Sequence, residues 1–391
     1  MPGMTATPPL DSVTSKSGKR SIISAVTALH LPGTRYPWVF LRIETESGLY
    51  GIGQVSSGPN STVVAAAASR LGPLLIGEDA SRIEYLWYKL YTSFSSLGSL
   101  GFVSALISGV DIALWDLRGK QLDLPVYELL GGAYRDKLLL YSNGWFSGCK
   151  TPEDFGKAAK QTVDDGHTAL KLDPFKHSHA DFRKHGAGYD AADEAEAAQI
   201  IEAIRESVGP GVEILIDAHG RFDVPTAVRL ANLIAPYRIG WFEEPVPPEN
   251  WDALEQFRQR SPVPVCVGER LYTRWQFRPV LEKRLAEYIM PDVIRTGGIS
   301  ELRRIATMAE AFFIPVSPHD ATGPITLIAG AQTMMATANF YRLEIAYSEL
   351  EHYNRAMTPA FEVRGGYFHV SDRPGLGHDL NPEYVAQAIP Y

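Results

Sequence analysis

After Gly132 the chain repeats one pattern eight times: a short apolar run, then Gly, Pro or Asp, then in most cases a stretch of helical periodicity. The runs read LLLYSNGW, TALKLDP, EILIDAHG, GWFEEP, PVCVGE, EYIMPD, FIPVSPH and FYRLEIA. Strands that alternate with helices are typical of parallel α/β folds, and eight units close a (β/α)8 barrel. A doubly wound open sheet has a similar texture, so the count of eight decides between them. The sequence therefore predicts the α/β class with a modified TIM-type (β/α)8 barrel.

The residues ahead of this pattern have a different character. From Ser21 to Val55 the sequence alternates and is rich in β-branched and aromatic side chains, which predicts strands joined by tight turns. From Ser61 to Leu130 the apolar spacing is helical, so we predict an N-terminal α+β capping domain. The predicted division is a disordered lead over 1–20, the capping domain over 21–132, the barrel with the catalytic site over 133–350, and a C-terminal segment over 351–391 that packs back on the capping domain.

The composition excludes several classes of partner. With 37 Lys+Arg against 45 Asp+Glu the net charge is −8, and no basic stripe is present, so we expect no nucleic-acid partner. The two cysteines, Cys149 and Cys266, lack the spacing of a disulfide framework or a zinc site. Because no run of about 20 apolar residues and no apolar signal segment occurs, we expect no membrane span and a cytoplasmic location.

Polar residues recur at one phase of the barrel pattern, at or near the end of an apolar run. They are Asp217, Glu243, Glu269, Asp292, His319 and Glu344, spaced 23 to 27 residues apart. The carboxyl ends of barrel strands surround one mouth, so these side chains should converge there. Any one of them alone could cap a helix or pair with a lysine. Six in phase predict an active site, since ionisable groups in such buried positions are costly unless they are paired or bind metal.

Three of these residues offer only carboxylate oxygens and follow consecutive strands. They are Asp217, Glu243 and Glu269. Hard oxygen ligands without Cys or His suit Mg²⁺, which keeps positions open for substrate oxygens. Three carboxylates this close would also repel one another without a cation. The sequence therefore predicts a Mg²⁺ site.

Titratable groups flank the predicted metal site on both sides. Asp292 and His319 form a pair in which the carboxylate orients the imidazole and raises its basicity, as a general base requires. On the other side, His219 lies two residues after Asp217 and therefore points to the same mouth. Lys171 on the second run either points toward metal and substrate or forms a salt bridge with a ligand carboxylate. Asp173, which alternates with Lys171, is either a substrate-hydroxyl acceptor or the cap of a loop.

Short motifs surround these residues and extend into the capping domain. They are Asp217-Ala-His219-Gly-Arg, Trp241-Phe-Glu243-Glu244-Pro, Gly268-Glu269-Arg270, Pro291-Asp292 with Gly297-Gly298-Ile299, Ser317-Pro318-His319, Asp111-Ile-Ala-Leu-Trp115-Asp116 and Leu130-Gly-Gly132. Together they resemble the mandelate racemase branch of the enolase superfamily, over the chain from about Ser21 onward. Within that branch, the Asp-x-His run together with the later Asp/His pair is similar to acid-sugar dehydratases of the D-galactonate dehydratase type.

The resemblance implies a role for each residue. The implied Mg²⁺ ligands are Asp217, Glu243 and Glu269. The base that takes the proton α to the substrate carboxylate is His319 with Asp292, and the acid that protonates the departing 3-hydroxyl is His219. Glu344 matches a carboxylate that contacts substrate or intermediate. The implied substrate is a galactonate- or gluconate-like sugar acid, the product a 2-keto-3-deoxy acid, and the assembly a symmetric homo-oligomer.

One position departs from the family pattern. Mandelate racemases carry Lys-x-Lys at the end of the second strand, whereas this chain has Lys171-Leu172-Asp173. A racemase needs two opposed bases, but elimination needs one base and one acid, so dehydration is favoured. A racemase, epimerase or lactone cycloisomerase of the same superfamily, and a non-catalytic relative that binds a sugar acid, stay open as alternatives. The motifs do not define the sugar acid or its stereochemistry.

Three further features carry weaker predictions. A histidine-rich segment after the second run is interpreted as a solvated loop rather than a zinc site, with a lid as the alternative; its histidines are His177, His179 and His185. The loop around Tyr36, Trp38 and residues 53–60 is expected, from the resemblance, to overhang the mouth and set substrate specificity, with simple packing of most of its residues as the alternative. Glu244 is either an outer carboxylate of the metal site or the partner of Arg270.

Overall fold

The structure is a computed structural model, and it describes residues 21–175 and 189–390. The predicted lead over 1–20 lies outside the described residues, as do the three histidines of the segment after the second run. None of the helices in the described ranges combines the length and apolarity that crossing a bilayer requires.

The N-terminal part is a three-stranded antiparallel sheet covered by helices. Its strands are β1 (Ile23–Leu31), β2 (Trp38–Thr45) and β3 (Tyr50–Ser57), in that order. Its helices are α1 (Ser61–Ala68), α2 (Gly72–Leu75), α3 (Ile83–Ser93), α4 (Phe102–Leu122) and α5 (Val126–Leu129). Helix α4 lies so close to β3 that a Cβ on Gly53 would be 2.0 Å from the Gly109 carbonyl oxygen, so glycine is required there.

The next seven strands form the predicted barrel, which confirms the fold class. They are β4 (Leu138–Asn143), β5 (Ala169–Leu172), β6 (Glu213–Asp217), β7 (Ile239–Glu243), β8 (Val265–Val267), β9 (Tyr288–Ile289) and β10 (Leu343–Ala346). Neighbours pair in parallel, and β10 closes the barrel on β4. Between β9 and β10 the seventh run contributes only Val316, which bridges Ile289 and Phe340. Its flanking prolines, Pro315 and Pro318, lack the N–H groups that a longer ladder needs.

Helices follow each barrel strand. They are α6 (Pro152–Asp164), α7 (Ala191–Val208), α8 (Val224–Ile234), α9 (Trp251–Arg260), α10 (Thr273–Glu282), α11 (Val293–Thr296), α12 (Gly298–Ala311), α13 (Pro324–Met335) and α14 (Leu350–Ala356). Side chains cap several of their N-termini: Thr151 and Asp190 each form a capping box, with Asp154 and Asp193 respectively. The main core lies between the strands and these helices, and a second apolar cluster around Trp241 and Tyr141 fills the barrel interior.

The capping helices hold the turn that connects α11 to α12. Trp87 Nε1 donates to the Gly297 carbonyl oxygen at 2.8 Å, and Ser108 Oγ accepts from the Gly297 N–H at 2.9 Å. Asp111 accepts from both the backbone N–H (3.0 Å) and the hydroxyl (2.5 Å) of Ser300 in the first turn of α12. Carboxylate acceptors stabilise a helix N-terminus, so α4 supplies in space a cap that the sequence of α12 itself lacks.

Residues after α14 contact both the sheet and the barrel. They form β11 (Met357–Thr358), β12 (Glu362–Arg364), β13 (Tyr367–His369), β14 (Asp379–Leu380) and α15 (Pro382–Val385). Strand β13 pairs with β4, and the Ile389 N–H donates to the His30 carbonyl oxygen at 2.8 Å. Trp38, from the loop expected at the mouth, is 2% exposed and packs against Tyr353 and Tyr384, as the packing alternative holds.

Candidate active site

The carboxyl ends of the barrel strands carry the polar residues that the sequence singles out. Asp217 and Glu243 are the last residues of β6 and β7 and lie opposite each other in the ladder. The other members follow or lie within successive strands, and all are at most 7% exposed: Lys171, Glu269, Asp292, His319 and Glu344. The repeat of the sequence is therefore a ring in space, as the barrel prediction requires.

A lysine ammonium lies among the carboxylates of this ring. Lys171 Nζ is 2.8 Å from Glu344 Oε1, 3.1 Å from Glu243 Oε1 and 3.6 Å from Asp217 Oδ2. Burial lowers the pKa of Lys171, but the charges of Glu243 and Glu344 outweigh it and hold the pKa well above its usual value. Of the two predictions made for Lys171, the structure shows the salt bridge to the predicted ligand carboxylates.

The three predicted metal ligands are turned toward cations of the protein. Asp217 faces Lys171 and His219, and Glu269 Oε2 is 3.0 Å from His319 Nε2. Within residues 21–175 and 189–390, no three His, Cys, Asp or Glu side chains are arranged so that they could hold a metal ion. An ion at this place would compete with Lys171 and the histidines for the same oxygens.

The donor set nevertheless has the chemistry that Mg²⁺ prefers. Asp217, Glu243 and Glu269 supply only carboxylate oxygens from three adjacent strand ends. Burial and the nearby Asp217 charge raise the pKa of Glu243 well above its usual value, so negative charge is crowded here beyond what Lys171 offsets. A divalent cation would relieve that repulsion, and the residues fit the predicted ion in chemistry and charge.

His319 and Asp292 form a hydrogen-bonded pair at the ring. His319 Nδ1 is 2.8 Å from Asp292 Oδ2, and Asp292 Oδ1 accepts from the Ile294 N–H at 2.9 Å. A carboxylate can only accept, so Nδ1 carries the hydrogen and Nε2 is the nitrogen that faces the ring. Burial lowers the pKa of His319, but the charges of Glu344 and Glu269 raise it well above its usual value.

His219 forms a similar pair on the other side of the ring. Its backbone lies in the left-handed region at φ 51°, where its N–H donates to Asp217 Oδ1 at 2.8 Å. Its Nδ1 is 2.9 Å from Asp173 Oδ2, and its Nε2 is 3.2 Å from Asp217 Oδ2. Burial lowers the pKa of His219, but the charges of Asp217 and Asp173 and the Asp173 hydrogen bond raise it. Arg221 holds Asp173 from the opposite side, at 2.6 and 3.2 Å.

Outer residues complete the site. Glu244 is paired with Arg270, as one of its two interpretations held, and burial with the nearby Glu269 charge raises the pKa of Glu244 to about 7. The Asn143 amide donates to Glu344 Oε1 at 2.9 Å, and Arg295 Nη1 donates to the Glu269 carbonyl oxygen at 2.8 Å. Sequence reasoning missed Asn143 and Arg295, although Asn143 ends β4 as Asp217 and Glu243 end their strands.

Two family models match this chain. Residues 18–131 match the N-terminal domain of mandelate racemase / muconate lactonizing enzyme, and residues 154–384 match the enolase C-terminal domain-like family. The chain belongs to the mandelate racemase / muconate lactonizing enzyme family of the enolase superfamily. Its fold class, a capping domain followed by a barrel, and its membership of a family of enzymes are thereby confirmed.

Curated relatives within the family are named as dehydratases. D-xylonate dehydratase of Haloferax volcanii is 33% identical over 90% of this chain and 85% of its own length. D-galactonate dehydratase of Verminephrobacter eiseniae is 36% identical over 90% of each chain. Among solved structures, a member of the enolase superfamily from Salmonella Typhimurium superposes with a TM-score of 0.89 at 30% identity, covering 94% of this chain and 98% of its own. The mandelate racemase/muconate lactonizing enzyme-like protein of Rubrobacter xylanophilus gives 0.85 at 32% identity, covering 95% and 98%.

Proposed function

We propose that this enzyme is a Mg²⁺-dependent sugar-acid dehydratase that converts an aldonic acid into its 2-keto-3-deoxy product. The observation that carries the proposal is the pair of carboxylate-held histidines, His319 and His219, on the two sides of one ring of carboxylates. Elimination of water needs one group that takes a proton and another that gives one, and this arrangement supplies both. The dehydratase names of relatives that match at least 90% of the chain support the same reaction class.

The metal site in this proposal consists of Asp217, Glu243 and Glu269. Mg²⁺ bound there would offset the second negative charge that develops on the substrate carboxylate when the α-proton leaves. Lys171, 2.8 to 3.6 Å from three buried carboxylates, keeps the ring from becoming too negative to take up an anionic substrate. Glu344, which Asn143 and Lys171 hold, would contact the substrate or the intermediate.

The two histidines perform the proton transfers. His319 Nε2 takes the proton from C2, and Asp292 keeps Nδ1 protonated so that Nε2 is the acceptor. On the other side, His219 Nε2 gives its proton to the departing 3-hydroxyl, which leaves as water. The resulting enol takes a proton at C3 and gives up the proton of its 2-hydroxyl, which yields the 2-keto-3-deoxy acid. The protons and the broken C–O bond then balance as one water lost per substrate.

The alternatives predict a different product. In a racemase or epimerase the C2 proton would be returned to carbon, and the position of the second lysine of racemases is here taken by Asp173, which holds His219. This contact favours an acid over a second base at this side of the ring. A non-catalytic relative would bind Mg²⁺ and a sugar acid without exchanging the C2 proton.

A substrate screen tests the proposal. Purified protein with Mg²⁺ is incubated with D-xylonate, D-gluconate, D-galactonate and other mono- and diacid sugars, and 2-keto acid is measured. His319→Asn should reduce turnover of the active substrate by about 10²- to 10⁴-fold, the usual contribution of a general base. His369→Asn on β13, away from the ring, is the matched control. Full activity of His319→Asn would contradict the assignment, and C2 exchange or inversion in D₂O without keto acid would favour the isomerase.

A small sugar acid is thus the proposed partner. The predicted homo-oligomer and cytoplasmic location stay predictions, and sedimentation of the purified protein measures the first of them.

A further inference from the structure

The Asp173–His219–Arg221 cluster closely parallels the pair that orients the proposed base. In both pairs an aspartate Oδ2 contacts histidine Nδ1, at 2.9 Å for Asp173 and 2.8 Å for Asp292. In both, Nε2 then faces a carboxylate of the ring, at 3.2 Å for His219 and 3.0 Å for His319. Two histidines on opposite sides of the ring are therefore oriented in the same way, by an aspartate carboxylate at Nδ1.

Asp173 is itself fixed from several directions. Both terminal nitrogens of Arg221 donate to its carboxylate, Nη2 to Oδ2 at 2.6 Å and Nη1 to Oδ1 at 3.2 Å. The Phe175 N–H also donates to Oδ1, at 3.0 Å. Arg221 is 3% exposed and has a further contact to the Phe175 carbonyl oxygen. A bidentate guanidinium fixes the plane of a carboxylate, so the Asp173 carboxylate has a single orientation toward His219.

We propose that Asp173, fixed by Arg221, is the positioning residue that holds His219 as the acid of the elimination step. The assignment rests on the proposed dehydratase function and deepens it. A carboxylate accepts only, so Nδ1 of His219 must carry a hydrogen, and the proton that reaches the departing hydroxyl is the one on Nε2. Asp173 also caps its loop, since Oδ1 accepts from the Phe175 N–H two residues on, while Oδ2 meets His219 and Arg221. With protein donors at both oxygens, the other interpretation, a substrate-hydroxyl acceptor, is disfavoured.

This assignment separates the two halves of the reaction. Proton abstraction at C2 depends on His319, which Asp173 does not contact. Cleavage of the C3–O bond depends on His219, because hydroxide is a poor leaving group without a proton donor. Loss of the Asp173 carboxylate should therefore slow elimination and leave C2 abstraction intact.

Asp173→Asn tests the proposal with whichever of D-xylonate, D-gluconate or D-galactonate the unsubstituted enzyme dehydrates. We expect kcat for keto-acid formation to fall by about 10- to 100-fold, as for other residues that orient a functional histidine, with KM changed less than twofold. In D₂O, NMR of the recovered substrate should show C2 deuteration that continues while elimination is slow. Asp292→Asn, in contrast, should lose both exchange and elimination.

A substrate with a different leaving group gives a sharper readout. The 3-deoxy-3-fluoro analogue of the same acid loses the C2 proton and fluoride, and fluoride departs without being protonated. Asp173→Asn should therefore eliminate fluoride at nearly the unsubstituted rate, which a general loss of structure would not allow. Asp223→Asn is the matched control, because Asp223 caps α8 four residues after His219 and an asparagine can take over that cap.

The outcomes distinguish a failure of the proposed dehydratase function from a failure of the positioning role of Asp173. If the unsubstituted enzyme forms no keto acid from any sugar acid, the proposed function fails and this assignment fails with it. If it does, but Asp173→Asn loses exchange, water elimination and fluoride elimination together, or dehydrates normally, only the positioning role is overturned. Should Asp173→Asn fail to fold, Arg221→Gln loosens the same carboxylate and must show the same separation of exchange from dehydration for the proposal to stand.

Discussion

Asp111 offers a test of how the capping domain is held on the barrel. Its carboxylate lies 2% exposed between α4 and the first turn of α12, with Ser300 as hydrogen-bond donor. Burial raises the pKa of Asp111 to about 7, although the two Ser300 hydrogen bonds act in the opposite direction. The folded protein therefore keeps a proton on Asp111 in a pH range where the unfolded chain has already lost it.

The sign of the effect follows from this difference. Between the ordinary aspartate pKa near 4 and about 7 the folded state binds more protons, so the free energy of unfolding falls as pH rises. A raised pKa of this size corresponds to about 4 kcal/mol once both states are ionised above pH 7. Over the range from pH 5 to pH 8 the expected loss from this one group is about 3 kcal/mol.

Asp111→Asn removes the titration and keeps an oxygen that can accept from the Ser300 N–H. Urea unfolding of both proteins is followed by circular dichroism and fluorescence at intervals from pH 5 to pH 8, in EDTA so that metal binding does not contribute. The difference between the two free energies should shift by about 3 kcal/mol in favour of Asp111→Asn as pH rises. Asp252→Asn, at a side chain 84% exposed, controls for the chemical change.

A constant offset between the two proteins would refute the reasoning, whatever its size. Such an offset measures the altered hydrogen bonds to Ser300, whereas only a pH-dependent difference reports a proton held in the folded state. A difference that grows in the opposite direction would mean that Ser300 and the α12 N-terminus stabilise the charged form more than burial opposes it.

Three further substitutions test contacts of the fold and the ring. Trp87→Phe removes the donor to the Gly297 carbonyl oxygen and should lower the free energy of unfolding by about 1 kcal/mol in urea. Gly298→Ala should cost about 2 kcal/mol or more, because Gly298 has φ 87° and its Cβ would lie 2.3 Å from Asp111 Oδ1. Lys171→Met leaves buried carboxylates without their ammonium and should cost about 3 to 5 kcal/mol, and Mg²⁺ should raise its thermal midpoint more than that of the unsubstituted protein.

Each of these has a matched control. Trp275→Phe changes a tryptophan that is 45% exposed, and Gly209→Ala changes a glycine with φ 71° whose Cβ would meet open space. Lys283→Met removes an ammonium that is 48% exposed. If a variant loses no more free energy of unfolding than its control, the contact that this substitution tests does not contribute the stability expected of it.

The barrel and the positions of its polar residues could be predicted because both depend on local periodicity. Asp217 and Glu243 end their strands as their runs end, and a parallel barrel brings all strand ends to one mouth. The seventh strand is shorter than its apolar run predicts, because a run with two prolines contributes only the Val316 bridge. Periodicity reports which residues are buried but not whether backbone donors are available to pair them.

Contacts between distant segments could not be predicted in the same way. Asp173 and Arg221 are 48 residues apart, and nothing in either local pattern indicates their ion pair. The sequence allows two interpretations of Lys171, because strand phase gives the direction of its side chain but not the groups that contact its Nζ. Those groups come from strands at positions 217, 243 and 344, whose arrangement only the closed barrel defines.

The charge of the ring reconciles a net charge of −8 with the anionic substrate that we propose. Five buried carboxylates lie at the mouth, and Lys171 is the ammonium that contacts three residues of this ring, Asp217, Glu243 and Glu344. At separations near 4 Å each charge pair counts for about 4 kcal/mol at an effective dielectric constant of 20, so the balance at the mouth outweighs the distant surface charge. Lys171 and His219, the proposed acid, offset part of this negative charge, and a divalent cation at the three strand-end carboxylates would bring the mouth near neutrality. In the proposed function, the acidity of this mouth would hold a cation, and that cation would attract the sugar acid.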